Sequence, residues 1–399
     1  MSFVLISLYQ VLEVMEQTLT LVVKLQATVE QQQMLTETAA AFASACSWIN
    51  ENIDLKLTNR NSIQALCYHQ VKAQFGLSAN HVVRACARVA ANRLSAKHKK
   101  AKVNNFAPTS FDCDARTFRF IEKDWAISLS TVSKRLILPL RVSEYHKGKL
   151  TGASPTCAQV CQHKDGWYVH VQLTFTVPET IKTDKVIGID LGRRDIAVTS
   201  TGKSWSGKEI QRVRDKFSRV RSSLQQKASQ GTRSSRRRCR QLLQRLSGRE
   251  RRFQSALNHQ ISKAIILEAK TSNCAVALED LTGIRERTNN KPRGKTEKRR
   301  SNSWAFYQLR GFLEYKGVNQ GVEVVAVNPA YSSQTCSCCL HIGKRTNKSF
   351  ECDNCGNKAD ADLNGSKMIA LIGQSVRMPR GSEILACPVS LGLQKATGF

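Results

Sequence analysis

Apolar and polar positions change period several times along the chain, and each change marks a predicted element. Thr18–Leu25 (TLTLVVKL) reads as a strand. From about Val29 to Lys100 the period is helical: Gln and Ala are frequent, and Ala39–Ile49 and Val82–Leu94 carry apolar residues at three- and four-residue steps. Asn105–Pro178 shifts to short β-rich runs, Phe118–Ile121, Ala126–Leu129, Arg135–Leu140 and the alternating Trp167–Val177, with His163-Lys164-Asp165-Gly166 as a hairpin turn. The expectation is a small antiparallel barrel or sheet, in which the Thr18–Leu25 strand also pairs and the helical block is an insertion. Pro178–Lys185 is a short polar connector.

The second half alternates strands and helices. Lys185–Leu191 (KVIGIDL) is a compact apolar strand with Asp190 at its end, Ile196–Ser200 is its hairpin partner, and Asp195 suits the turn between them. In Gly207–Arg252, Ile210, Val213, Phe217, Val220 and Leu224 recur at helical steps, and a Gly-Thr-Arg-Ser-Ser break separates two antiparallel helices. A further helical run passes through Leu257, Ile261, Ile265 and Ala269, where His259 reads as a packing or backbone-contacting residue. Asn273–Leu278 (NCAVAL) is a second buried strand, ended by Glu279. Thr288–Asn302 is polar, basic and aperiodic, and is expected to be a mobile loop near the site. Trp304–Tyr315 resumes a helix, Val322–Val327 is a strand, and Met368–Ile372 continues a short helix after Asp362. Gly373–Phe399 has no clear pattern and reads as a poorly ordered tail.

Charge sharpens this picture. The 399 residues suggest two or three domains, and 61 Lys and Arg against 31 Asp and Glu give a formal net charge of +30. Such an excess points to a polyanion, with nucleic acid as the default partner and a membrane surface as the rival. No stretch is apolar enough to span a bilayer. Met1–Val14 lacks a basic n-region and carries Glu13, which argues against a signal peptide, and Met15 opens the strand-like segment as the expected start. Gly207–Arg252 holds sixteen Lys and Arg against three acids. Its one-signed bias favours nucleic-acid contact over a merely solvated hairpin. Candidate contacts are Arg212, Arg219, Arg236, Arg237 and Arg238, with Lys298 and Arg299 in the later basic segment. Lys97, Lys99, Lys100 and Lys102 form another basic edge, for solubility or for a phosphate backbone. Fourteen cysteines in so long a chain suggest reduced thiols in the cytoplasm.

Two patterns carry chemistry. Cys336/Cys339 and Cys352/Cys355 are Cys-x-x-Cys pairs separated by twelve residues, a spacing that suits a tetrahedral structural zinc. A disulfide pair or unrelated buried thiols are the rival readings, and Cys338 is too close to Cys336 to join the set. The second pattern is three acids: Asp190 and Glu279 end apolar strands and Asp362 opens a helix. If the strands are neighbours and the helix crosses their ends, the carboxylates converge, and like charges resist joint ionisation without cations. Hard oxygen donors suit Mg²⁺ or Mn²⁺. Asp184, Asp280 and Asp360 are the nearby alternatives, of which Asp280 should face away from Glu279 by strand alternation.

At these residues the chain resembles a known family. GIDLG (Gly188–Gly192), ALEDLTGIRER (Ala277–Arg287) and the Tyr331–Ser366 cysteine pattern ending in ADLNGS look like the three parts of a RuvC-type nuclease with an inserted zinc ribbon. Their order resembles the TnpB family of transposon-encoded RNA-guided nucleases, relatives of type V CRISPR effectors. The resemblance implies an α/β multidomain protein whose nuclease part is RNase H-like, with Asp190, Glu279 and Asp362 as catalytic metal ligands and the four cysteines on zinc. The implied layout is an N-terminal extension and first wedge strand at 1–28, a helical recognition domain at 29–105 and a wedge β-barrel at 106–180. The nuclease domain with its basic helical insert follows at 181–328, the zinc ribbon at 329–361, the last nuclease helix at 362–375 and a tail at 376–399. Implied partners are a guide RNA and double-stranded target DNA beside a short flanking motif, with a monomer favoured and a bacterial, nucleoid-associated cytoplasmic setting. Leu340 stands where the family commonly has Gly, and Asn364-Gly365-Ser366 where it has Asn-Ala-Ala. A miniature CRISPR effector, a guided repressor and a transposase without RNA-guided cleavage are the competing functions.

Overall fold

The computed structural model describes residues 16–103, 105–284, 294–302 and 305–377. The chain divides into two compact units, 1–176 and 177–399.

In the first unit a seven-stranded sheet has the order β2-β6-β7-β1-β5-β4-β3, with every pairing antiparallel. The strands are β1 (Glu16–Leu25), β2 (Ser110–Cys113), β3 (Phe118–Ile121), β4 (Ala126–Ser130), β5 (Arg135–Arg141), β6 (Cys157–His163) and β7 (Gly166–Thr176). The first strand of the sequence is thus the middle strand of the sheet, paired with β7 from Glu16↔Thr176 to Lys24↔Tyr168 and with β5 at Leu25↔Leu140. Three helices, α1 (Val29–Asn52), α2 (Arg60–Phe75) and α3 (Ala79–His98), are inserted between β1 and β2. Each begins on a polar cap: Thr28 with Gln31 as a capping box, Asn59, and Ser78. Their apolar faces share one core with the sheet, in which Leu35, Phe42, Ile49, Ile63 and Val89 pack with Phe111, Leu129, Leu138 and Val169. A short helix α4 (Glu144–Leu150) joins β5 to β6.

Among the described residues Arg93 is the one Lys or Arg buried in this core, at 3% exposure. Its guanidinium donates to the carbonyls of Ile49, Asn50, Ile53, Asp54 and Leu57 and to Asn50 Oδ1, so α3 satisfies the open end of α1. Arg93→Met keeps the stem but strands these carbonyls, and urea melts should show a loss of about 3 kcal/mol or more. A loss within experimental error would mean that water replaces the guanidinium.

The second unit is built on a five-stranded sheet of order β10-β9-β8-β11-β12. Its strands are β8 (Val186–Asp190), β9 (Asp195–Thr199), β10 (Ser204–Ser206), β11 (Ala275–Glu279) and β12 (Val324–Val327). β8, β9 and β10 are antiparallel neighbours, whereas β8, β11 and β12 run parallel. Between β10 and β11 come α5 (Lys208–Gln230), α6 (Arg233–Leu246) and α7 (Arg249–Thr271). Next are α8 (Lys295–Asn302) and α9 (Phe306–Gln320), and α10 (Ala361–Arg377) closes the described chain. Ile261, Ile265 and Ile266 of α7 and Leu309 and Leu313 of α9 pack with Ile187, Ile189, Val276 and Leu278 of the sheet. α10 packs on β8 through backbone, because a Cβ on Gly188 would strike the backbone of Ser366 and Ala370. A three-stranded ribbon, β13 (Lys344–Thr346), β14 (Ser349–Glu351) and β15 (Lys358–Asp360), leads into α10.

Some expectations need correction. The described part of Thr288–Asn302 is not a loop: α8 forms there, with Glu297 against Arg193 and with Arg299 and Arg300 on Asp215. These ion pairs give a highly charged segment an order that periodicity could not signal. Asp195 lies in no turn but opens β9. The last helix starts at Ala361 and reaches Arg377, longer than the short run expected. Met1–Met15, Trp304 and the tail beyond Arg377 lie outside the described residues.

Candidate active site and metal centre

The parallel register aligns Leu278 with Ile189, so the next residues, Glu279 and Asp190, stand side by side at the carboxyl ends of two buried strands. α10 crosses this edge. Gly365 lies against Asp190, where a Cβ would sit 3.4 Å from the Oδ2 atom, and Asp362 is one turn earlier. The structure therefore brings Asp190, Glu279 and Asp362 to the same edge, within electrostatic reach of Asp190, although their carboxylate oxygens do not all lie within 4.8 Å of one another. Burial, with the nearby charges of Glu279 and Asp362, pushes the Asp190 carboxyl up to about 7. Burial also raises Glu279, against the pull of the Ser332 hydroxyl, which donates to its Oε1 at 2.5 Å, and of Arg345.

The neighbouring acids have other duties. Asp280 accepts from Thr282 and Arg310. Asp360 caps α10, accepting from the amides of Asp362 and Leu363 at 2.9 and 3.1 Å. Asp184 is exposed at the opposite end of β8.

The ribbon reaches into the acid site. Arg345 donates to Asp362 Oδ1 at 2.7 Å, and Lys348 pairs with Asp195 while lying 3.9 Å from Asp362. Asn364, fully buried, donates to the Thr335 carbonyl at 2.8 Å and accepts from the Ser337 amide at 3.0 Å, tying α10 to the first cysteine knuckle. Ser332, Arg345, Lys348 and Asn364 were not nominated from the sequence. Arg345 and Lys348 sit between the cysteine pairs with no spacing that marks them. Ser332 and Asn364 carried a signal, because they lie in the two ends of the family pattern.

Cys336, Cys339, Cys352 and Cys355 bring their sulfurs within 4.8 Å of one another, with Cys336–Cys355 at 3.6 Å and Cys339–Cys352 at 3.5 Å. A tetrahedral zinc with bonds of about 2.3 Å needs sulfurs about 3.8 Å apart, so the donor set fits zinc. Among the described residues every cysteine is a free thiol, and Cys338 is outside the cluster. The two knuckles match: Cys336 accepts from the Leu340 amide and donates its own amide to His341, as Cys352 does with Gly356 and Asn357. Both turns need a left-handed residue, Leu340 at φ 63° and Gly356 at φ 70°. Leu340→Gly is therefore expected to stabilise the zinc-loaded ribbon by about 1 kcal/mol. A lower resistance to chelator-induced unfolding would contradict this.

Of the basic candidates, Arg212 pairs with Glu209 and Arg299 with Asp215, while Arg219, Arg236, Arg237, Arg238 and Lys298 are exposed. His259 stacks on Phe312 at 3.8 Å. In the first unit a cleft of about 970 Å³ is lined by Arg84, Lys99, Lys102, Gln159, His170 and Gln172 among others.

Two family models match this chain: a probable transposase model over residues 164–282 and a Cas12f1-like TNB domain over 306–369. Over part of its length the chain is similar to TnpB-like and Cas12f1 proteins. It is 35% identical to a TnpB-like protein of Methanocaldococcus jannaschii over 39% of this chain and 54% of that protein. Identity is 33% to the CRISPR-associated endodeoxyribonuclease Cas12f1 of Syntrophomonas palmitatica, over 49% of this chain and 40% of that one. A putative RNA-guided DNA endonuclease of Escherichia coli is 26% identical over 63% of this chain and 65% of its own length. The match to the first two relatives spans about half of their length. In fold, Cas12f1 solved with a single guide RNA and target DNA superposes with a TM-score of 0.62 at 16% identity, covering 85% of this chain and 81% of that one. The protein thus has an α/β fold of the Cas12f1 kind, with a TNB domain that carries the four-cysteine cluster. Among the described residues no helix is long and apolar enough to cross a membrane.

Proposed function

We propose that this protein is an RNA-guided DNA endonuclease, of the transposon-encoded TnpB kind, which cuts double-stranded DNA beside a short flanking motif. The observation that carries the reading is the meeting of Asp190, Glu279 and Asp362 at the ends of two parallel strands under α10. In this reading the second unit is an RNase H-like, RuvC-type nuclease. The first unit is a wedge barrel split by the helical recognition block, with its polar, basic cleft available to the flanking duplex. The ranges drawn for these domains from the sequence remain part of the proposal.

The three acids would hold Mg²⁺ or Mn²⁺. Bound there, such ions supply an activated water and neutralise the charge that develops on the attacked phosphodiester. The chain's own residues do the rest. Ser332 fixes one oxygen of Glu279 and leaves the other for a ligand. Arg345 holds Asp362 in place at the mouth of the site, where its guanidinium also suits a phosphate oxygen. The zinc ribbon carries out no chemistry; it positions Arg345, Lys348 and α10.

The test is to purify the protein with the RNA it carries, sequence that RNA, and offer DNA that matches its variable end. Double-strand cleavage that requires both the matching sequence and a divalent ion supports the proposal. Cleavage indifferent to the RNA, or strand joining instead of hydrolysis, overturns it in favour of a transposase. Guided binding without cleavage would indicate a repressor. Transposon ends or a repeat array in the neighbouring DNA separate the TnpB reading from a miniature CRISPR effector.

A further inference from the structure

Lys348 stands at the edge of the acid site, and its place is set from two directions. It lies in the two-residue turn between β13 and β14, where Thr346 pairs with Ser349 and Asn347 takes a left-handed φ of 55°. Its carbonyl accepts from the Ala361 amide at 2.7 Å, so backbone fastens the turn to the first residue of α10, next to Asp362. From that anchor the ammonium pairs with Asp195 and lies 3.9 Å from Asp362 Oδ2. Asp195 arrives from the other side. Gly192, two residues beyond Asp190, approaches the Asp195 carbonyl so closely that a Cβ would sit 2.5 Å from it. This tight return brings the start of β9 beside the end of β8.

The ammonium is shared unequally. It touches Asp195 directly and Asp362 only at the outer limit of an ion pair, although both carboxylates are largely buried, with side-chain exposures of 15% and 16%. Asp362 thus carries Arg345 on Oδ1 and Lys348 near Oδ2, two positive charges where a metal ligand should present negative ones. Spacing points the same way. Oxygens that share one Mg²⁺ at about 2.1 Å lie within about 4.2 Å of one another. Those of Asp190, Glu279 and Asp362 do not all lie within 4.8 Å. An ion that took all three would require Asp362 to shift and its contacts with the ribbon to give. The ease of that exchange depends on how firmly Lys348 is held by its other carboxylate.

We infer that Lys348 is the resident counter-ion of the acid site and that Asp195 holds it back from Asp362, so that the pair sets how tightly a divalent ion binds. Lys348 lowers the energy of the metal-free acids, whose charges would otherwise repel one another, and it opposes any second cation that approaches them. Asp195 takes most of the ammonium's attraction to itself and leaves Asp362 accessible. The two residues therefore act on metal binding with opposite signs. This deepens the reading of the three acids as a divalent-metal site and rests on it, but it depends on no step of cleavage.

The test uses the full chain, zinc-loaded and washed free of nucleic acid at high salt, with Mn²⁺ as the probe and electron paramagnetic resonance to follow its binding. Asp190→Asn locates the site: loss of the tightest Mn²⁺ in that variant places the ion at the acids. Lys348→Gln should tighten this Mn²⁺ by about tenfold, because a like charge beside Asp362 is gone, while Lys348→Arg stays within about twofold. Asp195→Asn lets the ammonium settle on Asp362 and should weaken binding by about tenfold; in the Lys348→Gln background the same change should cost at most about threefold. Zinc content verifies that the ribbon is intact in each variant. Unchanged or weaker binding in Lys348→Gln would make the lysine a strap that only holds the acids in place. Equal tightening in Lys348→Gln and Lys348→Arg would trace the effect to shape rather than charge. An equal loss from Asp195→Asn in both backgrounds would make Asp195 a metal ligand. Each of these three overturns the inference and leaves the metal site standing. Mn²⁺ binding indifferent to Asp190→Asn overturns the functional reading, and the inference with it.

Discussion

Asp190→Ala is expected to reduce guided DNA cleavage by about 10³-fold or more, with RNA and target binding unchanged within a few-fold. The asymmetry follows from position. Asp190 is the acid at which the other two converge, and it faces the strand-end site rather than any exposed basic surface. Its burial has a second consequence in the metal-free protein. The folded carboxyl is raised to about 7, above the ordinary value near 4, so folding favours the protonated form. The stability tied to that preference is present below pH 4 and is lost as pH rises through about 7. Asp190→Asn removes the penalty, so at pH 8 without divalent ions it should melt higher than the unaltered protein, by on the order of 2–4 kcal/mol. Millimolar Mg²⁺ should narrow the gap by stabilising only the protein that keeps the carboxylate. A variant that cuts normally would remove Asp190 from the reaction. One that loses both cleavage and stability would mark it as structural.

Removing the ribbon's metal should have the next largest effect. Cys352→Ser deletes one of four thiolates from a site whose binding energy is folding energy, on the order of 10 kcal/mol for a structural zinc. The expected protein contains almost no zinc by elemental analysis and cleaves at least about 10²-fold more slowly. The path from knuckle to acid is short: Thr335 and Ser337 are bound by Asn364, two residues from Asp362, and Arg345 and Lys348 sit between the cysteine pairs. Without the knuckle these anchors go, and Asp362 loses its fixed place while Asp190 and Glu279 keep theirs on β8 and β11. Full activity in zinc-free protein would show that α10 is held by its packing on Gly188 alone.

What the sequence revealed depended on how local the signal was. Paired cysteines, strand-ending acids and the alternation of Trp167–Val177 are short patterns, and each led to the element it implied. That β1 joins the later sheet was expected, because an apolar strand ahead of a helical block needs a sheet to join; its partners, β5 and β7, were not legible. Long-range polar contacts left no such trace. Asn364 across to Thr335, Ser332 to Glu279 and Arg93 to the end of α1 join residues whose types are common and whose spacing means nothing alone. The basic segment before α9 misled for a related reason. Its helix is organised by ion pairs to Arg193 and Asp215, about a hundred residues earlier in the chain, and has no apolar face to read. The same blindness made Arg212 and Arg299 look equivalent to the arginines of α6, although the first two already have carboxylate partners.

The central place of β1 also governs how the protein is made. Its two neighbours, β5 and β7, are synthesised more than a hundred residues after it. At about 5–20 residues per second, the ribosome needs on the order of ten seconds to deliver them. During that interval α1, α2 and α3 can assemble from local contacts, while β1 waits with both edges open. Nascent chains that stop before Gly166 would carry that strand with its β7 edge permanently open, and they are the translation products most in need of a chaperone.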